Sequence, residues 1–423
     1  MNLELKKIAL SLYITVFAIA LAILGAIWYF TRSFVTIKVF PTEATIRIDD
    51  KVFKTQNGII KTVLEPGTHD IIVEAQDRIG TSKKVDFSRG SNKNVSISLT
   101  EMPQPIQISS DAKMTSHGND FNSFYYLGEN GHTLFRVKLG LDDKDQTIKT
   151  IEHRSITDTK LGNNKEITWS PKGELALFRK NNNDINLFDF AKYDFVHQTE
   201  TFWGKNIGSV AWAPDNSEIA YYYNPGTGEE SLILANIANN NITRVADLGA
   251  YNIKDPILHW SPDSEWLLVI PRSNDYPSNK IYLFNAYSRS IREFMAEGAQ
   301  LDAVFSPDSN KILFSTYHKD PANPVAGTLS VMDRDNNNLR SLNLRADLHK
   351  TVWSKDSKHI VVAAYDQESN HDEIFRFNTE TGEKDGFVLR NLGDITINNL
   401  VLSDDEKMVI YETKDGVFAV KVN

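Results

Sequence analysis

The sequence predicts an all-β protein, a small β-domain followed by a β-propeller, preceded by one transmembrane helix. Three observations predict it. Ile8 to Phe30 is an uncharged apolar run of 23 residues. Phe34 to Leu99 alternates apolar and polar residues with the period of strands. Beyond residue 105, a large apolar anchor opening a Ser-Pro-Asp-like turn recurs at separations of 43, 48, 45, 48 and 49 residues, from Trp169 to Leu402. That spacing is propeller arithmetic, four short strands in a period of about 45 residues.

Composition bounds the rest. A chain of 423 residues, 41% apolar and 24% charged, is ordinary for a globular protein and long enough for two or three domains. The net charge is −9, and no Lys/Arg-rich run interrupts the acidity, which argues against nucleic-acid binding. There is no cysteine, so disulfides, thiolate metal sites and thiol catalysis are excluded.

Residues 1–7 read as a cytoplasmic tail and 8–30 as the transmembrane helix. At about 1.5 Å per residue the run spans roughly 34 Å, enough for a hydrocarbon core of about 30 Å. Ala18-Ile19-Ala20 has the small-x-small form of a cleavage site. The run, however, continues through Trp28-Tyr29-Phe30 and exceeds the roughly 7–15 residues of a signal-peptide core. The expectation is therefore an uncleaved signal anchor in the cell membrane. Lys6 and Lys7 ahead of the span put the amino terminus in the cytoplasm and the remainder outside it.

Residues 34–100 read as the small β-domain. Val35 to Val39 and Ile46 to Ile48 alternate as one-face-buried strands, and so does Val95 to Leu99. Asp49-Asp50-Lys51 and Glu65-Pro66-Gly67 are turns, with Pro presetting φ and Gly accepting positive φ. The stretch Pro41-Thr42-Glu43-Ala44 with Ile46 to Lys51, then Leu64-Glu65-Pro66-Gly67-Thr68-His69 leading into Ile72 to Ala75, resembles the PEGA domain. The family's name-giving tetrapeptide is degraded, Thr42-Glu43 standing where Glu-Gly is typical. The resemblance implies a small extracytoplasmic module of bacterial surface proteins and brings no catalytic residues. His69 is read as a strand residue beside a turn.

Residues 101–105 form a Pro-containing linker, and 106–423 carry the repeats. The anchored segments are Trp169-Ser170-Pro171-Lys172-Gly173, Trp212-Ala213-Pro214-Asp215-Asn216, Trp260-Ser261-Pro262-Asp263-Ser264, Phe305-Ser306-Pro307-Asp308-Ser309, Trp353-Ser354-Lys355-Asp356-Ser357 and the weaker Leu402-Ser403-Asp404-Asp405-Glu406. Pro fixes φ in each turn, Asp or Ser bonds nearby amides, and the anchor supplies the contact that joins one blade to the next. These repeats resemble the TolB-type, WD-like propeller family, a likeness specific for fold and nearly silent on function. A hairpin from Ser123 to Val137 matches a further blade that lacks Ser-Pro-Asp. The last repeat has no outer strand of its own, and Pro105 to Ser109 is placed to supply it. Seven blades are expected, six being the alternative.

The search for chemistry finds no Gly-x-Ser-x-Gly elbow, His-Glu-x-x-His, phosphate loop or dinucleotide fingerprint. Asp333-x-Asp335-x-Asn337 opens like a calcium loop but has Asn338 and Leu344 where Gly and Glu are required. No catalytic, cofactor or metal-ligating residue is expected, and the chain is expected not to be an enzyme. The alternative to that last expectation is a site in the propeller channel, which needs convergent carboxylates or histidines. Candidate partner-binding residues are aromatics near the loops between second and third strands and the inter-blade connections, namely Trp203, Tyr223, Tyr251, Tyr276, Tyr317 and His318. The function expected is that of a membrane-anchored binding or scaffold protein holding an envelope protein or peptide, with a cell-envelope glycan as the alternative ligand.

Overall fold

A computed structural model describes residues 3–422 apart from 77, 79, 118–121, 129–132, 145, 158–163, 182–187, 198, 237–240, 273–278, 318–326, 367–370 and 390–395. The chain divides into two compact units, Met1–Met102 and Pro103–Asn423.

The first unit begins with a helix, Leu3–Thr31. Its stretch Ser11–Thr31 is long and apolar enough to cross a membrane, and none of it is buried against the protein. A two-sheet β-domain follows. Ser33–Phe40 lies between Ile59–Leu64, antiparallel, and Asn92–Ser98, parallel. The second sheet runs Lys51–Lys54, Thr45–Ile48, Gly67–Glu74, Thr81–Phe87. The inward residues of both sheets, among them Val35, Ile37, Ile46, Ile48, Ile71, Val73 and Phe87, form one core, as the period-two alternation requires. His69 ties two turns together: its Nδ1 lies 2.6 Å from Asp49 Oδ2 and its Nε2 2.9 Å from the Glu65 carbonyl.

The second unit is a propeller of seven four-stranded blades. Blade 1 is Lys113–His117, Ser123–Gly128, Thr133–Leu141 and Ile148–Ser155. Blade 2 is Asn164–Trp169, Leu175–Asn181, Phe188–Asp194 and the first half of the long strand Thr199–Trp212. The second half of that strand opens blade 3, which continues with Glu218–Tyr223, Ser231–Asn236 and Ile242–Asp247. Blades 4 and 5 share Ile291–Phe305 in the same way: Pro256–Trp260, Trp266–Pro271 and Asn279–Asn285 precede it, while Lys311–Tyr317, Thr328–Asp333 and Arg340–Arg345 follow. Blade 6 is Thr351–Trp353, His359–Asp366, His371–Asn378 and Lys384–Leu389. Blade 7 is Ile397–Leu402, Met408–Thr413 and Gly416–Lys421, and its outer strand is Ile106–Ser109 from the start of the unit. Val417 faces Ser109, and Phe418 faces Gln107. The count of seven stands, and the six-blade alternative falls because the hairpin from Ser123 has its own first and fourth strands.

The first strands of blades 2, 3, 4 and 5 lie against one another in succession, as do those of blades 6, 7 and 1, so these strands form the inner ring. The anchors weld adjacent blades as expected. The Trp212 indole donates to the Thr168 carbonyl of blade 2, and the Trp260 indole donates to the Ala211 carbonyl of blade 3, both at 3.1 Å. The turns of blades 4, 5 and 6 also each latch the previous one. The second Ser of the motif lies in the left-handed region (Ser264, Ser309 and Ser357 at φ 60°, 62° and 56°), which aims its hydroxyl at the neighbouring turn. There it accepts the N–H of Asp215, Asp263 or Asp308, at 3.0–3.1 Å. Asn122, also left-handed, takes that place in blade 1: its Oδ1 accepts the Asp405 N–H at 3.2 Å, which closes the ring.

Candidate binding site

Among the described residues six side-chain clusters cement successive blades, and the one between blades 2 and 3 is incompletely filled. A cavity of about 560 Å³ runs along that interface. Blade 2 contributes Leu175, Lys192, Trp203, Gly204 and Lys205 to its lining. Blade 3 contributes Trp212, alternate residues of one strand (Ile219, Tyr221, Tyr223), alternate residues of the next (Ile233, Ala235), and Ile242. The strand period of two is what presents these residues on one face. Trp203 packs edge-on to Tyr221 at a centroid distance of 5.4 Å and to Phe190 at 6.3 Å. Burial, with Tyr223 beside it, pushes the Tyr221 phenol up to about 12, so it is a neutral hydroxyl at any physiological pH. Two lysines are the charged members of the lining, and Ile242, 64% exposed, marks one end of the mouth.

The structure brings together two of the residues selected from sequence, Trp203 and Tyr223, and separates the others from them. Trp203 lies in the outermost strand of blade 2, not in an inter-blade connection as its position suggested, because that strand extends unbroken into blade 3. Tyr223 ends the second strand of blade 3. Tyr251 does sit in a connection, a 3₁₀ turn of Gly249–Tyr251, and packs edge-on to Tyr282 in blade 4. Tyr317 ends a strand of blade 5. Tyr276 and His318 lie outside the described residues.

A second polar feature lies on the inner ring. His259 Nε2, on the first strand of blade 4, stands 3.5 Å from Asp302 Oδ1, on the first strand of blade 5. Burial pushes the Asp302 carboxyl up, but His259, the charge of His349 and the Ala303 N–H together hold it below its ordinary value. No short motif marks these residues, because they come from three blades. Their separations of 43 and 47 residues equal the repeat length, and that is the signal that could have found them. Among the described residues no group of three His, Asp or Glu side chains is placed to hold a metal ion.

No family model matches the chain. An uncharacterized WD repeat-containing protein of Schizosaccharomyces pombe is 20% identical over 224 residues, 51% of this chain and 44% of that protein, so the match spans less than half of the relative. The solved structure of an oligogalacturonate lyase in complex with manganese superposes with a TM-score of 0.51 at 13% identity, over 77% of this chain and 99% of the lyase. TolB from Acinetobacter baumannii superposes at 0.39 with 14% identity, over 76% of this chain and 79% of TolB. The expectation that the chain is not an enzyme is withdrawn. An enzyme is built on the same fold, and a site assembled from several inner strands leaves none of the contiguous motifs whose absence prompted that expectation. The fold of residues 103–423 is a β-propeller of the WD-repeat kind.

Proposed function

We propose that this chain is a membrane-tethered scaffold whose propeller holds a partner polypeptide in the cavity between blades 2 and 3. In this reading the apolar helix is the tether, residues 34–100 are a PEGA-like spacer, and the folded units stand in the cell envelope outside the cytoplasm. The single observation that carries it is the convergence of Trp203, Tyr221 and Tyr223 on one cavity of about 560 Å³. Pockets of this size and apolar character suit the burial of a few side chains, and buried aromatics dominate the energetics of interfaces. Lys6 and Lys7 ahead of the apolar run support the orientation. Tethering supports the function, since confinement to a surface raises the effective concentration of a partner held there.

The test is isolation of the full-length protein from cells after crosslinking, beside a Trp203→Ala variant. A discrete polypeptide should accompany the natural sequence and fall about tenfold or more in the variant, the loss typical of a buried aromatic anchor. The circular dichroism of the variant should show the same strand content. Equal recovery with both proteins would refute the assignment of this cavity.

A further inference from the structure

We infer that the occupant of this cavity is an extended, acidic polypeptide segment; the inference rests on the reading above and adds the occupant's charge and length. Lys192 and Lys205 are the two charged side chains in the lining, and no carboxylate accompanies them. No acidic side chain among the described residues pairs with either, although Lys180, one blade strand away, is paired with Glu200. Unpaired cations on an apolar wall are complementary to carboxylates brought in by a ligand. The strand register sets their spacing. Lys192 lies opposite Leu177 and Thr201, midway along blade 2. Lys205 lies beside Ile207, which faces Tyr223 at one end of blade 3.

Length follows from the same strands. Ile219, Tyr221 and Tyr223 line the wall over four residue steps, about 13 Å at roughly 3.3 Å per residue. That accommodates three to four extended residues (about 3.3 Å each). The chemistry of the wall also selects the class of ligand. Leu175, Ile207, Ile219, Ile233 and Ile242 offer no hydrogen bonds, so glycan hydroxyls seated on these five are left unpaired, at a cost of about 1–3 kcal/mol per group, and the hydrogen-bonding side chains of the lining are Lys192, Lys205, Asn236 and the aromatics Trp203, Tyr221 and Tyr223. A polypeptide places apolar side chains on that wall instead. It also finds an unpaired strand edge at Ile242–Asp247, the outermost strand of its sheet, for main-chain hydrogen bonds.

The experiment measures binding of three fluorescein-labelled peptides to the full chain in detergent micelles at low salt: Leu-Asp-Leu-Asp-Phe, Leu-Asn-Leu-Asn-Phe and Leu-Lys-Leu-Lys-Phe. The acidic peptide should bind about tenfold more tightly than the neutral one, two partly exposed ion pairs each contributing a few-fold. That preference should shrink with added salt and vanish in the Lys192→Gln, Lys205→Gln double variant. Equal binding of the acidic and neutral peptides, or a preference that survives in the double variant, overturns the inference. If all three bind equally and Trp203→Ala removes that binding, the polypeptide-holding function stands and only the charge assignment falls. If none binds, or a neutral oligosaccharide displaces them, both fall.

Discussion

Gly416 lies where the ring closes, and its backbone tolerates no side chain. Its φ is +121°, and a Cβ built there would stand 1.9 Å from the Ser109 carbonyl oxygen, a backbone atom of the closing strand Ile106–Ser109. Gly416→Ala therefore has to push that strand away or distort the hairpin with Thr413. The expected loss is about 2–3 kcal/mol of stability, the scale of strain at a special backbone conformation. Hydrogen exchange is the check: the amides of Ile106–Ser109 should lose protection before those of any other blade strand. Unchanged exchange there would mean that closure does not depend on this contact. Other single residues were legible to different degrees. The anchors Trp212 and Trp260 were readable as blade-to-blade welds, since a large indole before a tight turn has few other uses. Asn122 was not, because its turn lacks Ser-Pro-Asp; a side-chain amide does the work of the hydroxyl, and only the geometry reveals the equivalence.

At the scale of the turn, the acidic residue of the repeat has a measurable consequence. Burial would push the carboxyls of Asp308, Asp356 and Asp405 up, but the hydrogen bonds they accept reverse the effect and hold all three below the usual value. Asp356 goes furthest, to about 2, because it accepts the N–H groups of Lys358 and His359 and pairs with the His359 ring. A group with a depressed folded pKa contributes stability above its unfolded value and loses it as pH falls through the folded one. For Asp356 the window runs from 3.8 down to about 2. The melting temperature of the propeller should thus be level above about pH 5 and fall steeply between about pH 4 and pH 2. Asp356→Asn should lower stability at neutral pH and flatten that fall. An acid limb that is identical in the variant would remove Asp356 from the explanation. These turns were the part of the fold most open to reading, since Pro, Asp and Ser at fixed offsets act within four residues of chain. The latches between turns were hidden, because they depend on how consecutive blades stack.

Over the whole molecule, repeat length and turn chemistry gave the blade count and the closing strand, while the cavity lay beyond them. Trp203 and Tyr223 were selected for lying near loops, yet they meet because the strand Thr199–Trp212 crosses from the edge of one blade to the inner ring of the next. Tyr221 was visible only as part of an apolar run, and nothing in a sequence says which inter-blade space is left unfilled. Lys192 and Lys205 looked like any surface lysines until the register put them on the same wall. The inner-ring group of His259, Asp302 and His349 was missed for a related reason: residues one repeat apart become neighbours only once the ring is closed. The proposed function joins a tether, a spacer and a seat, and the seat is the part of that proposal on which the rest depends. The most direct measurement places a photo-crosslinking amino acid at position 242, at the mouth of the cavity, in the full-length protein in intact cells, with position 287, on the exposed turn of blade 4, as the control. The account predicts one polypeptide adduct from position 242, absent from position 287, whose crosslinked residues fall within a short acidic and apolar stretch of the partner. Adducts to glycan, or the same products from both positions, would contradict it.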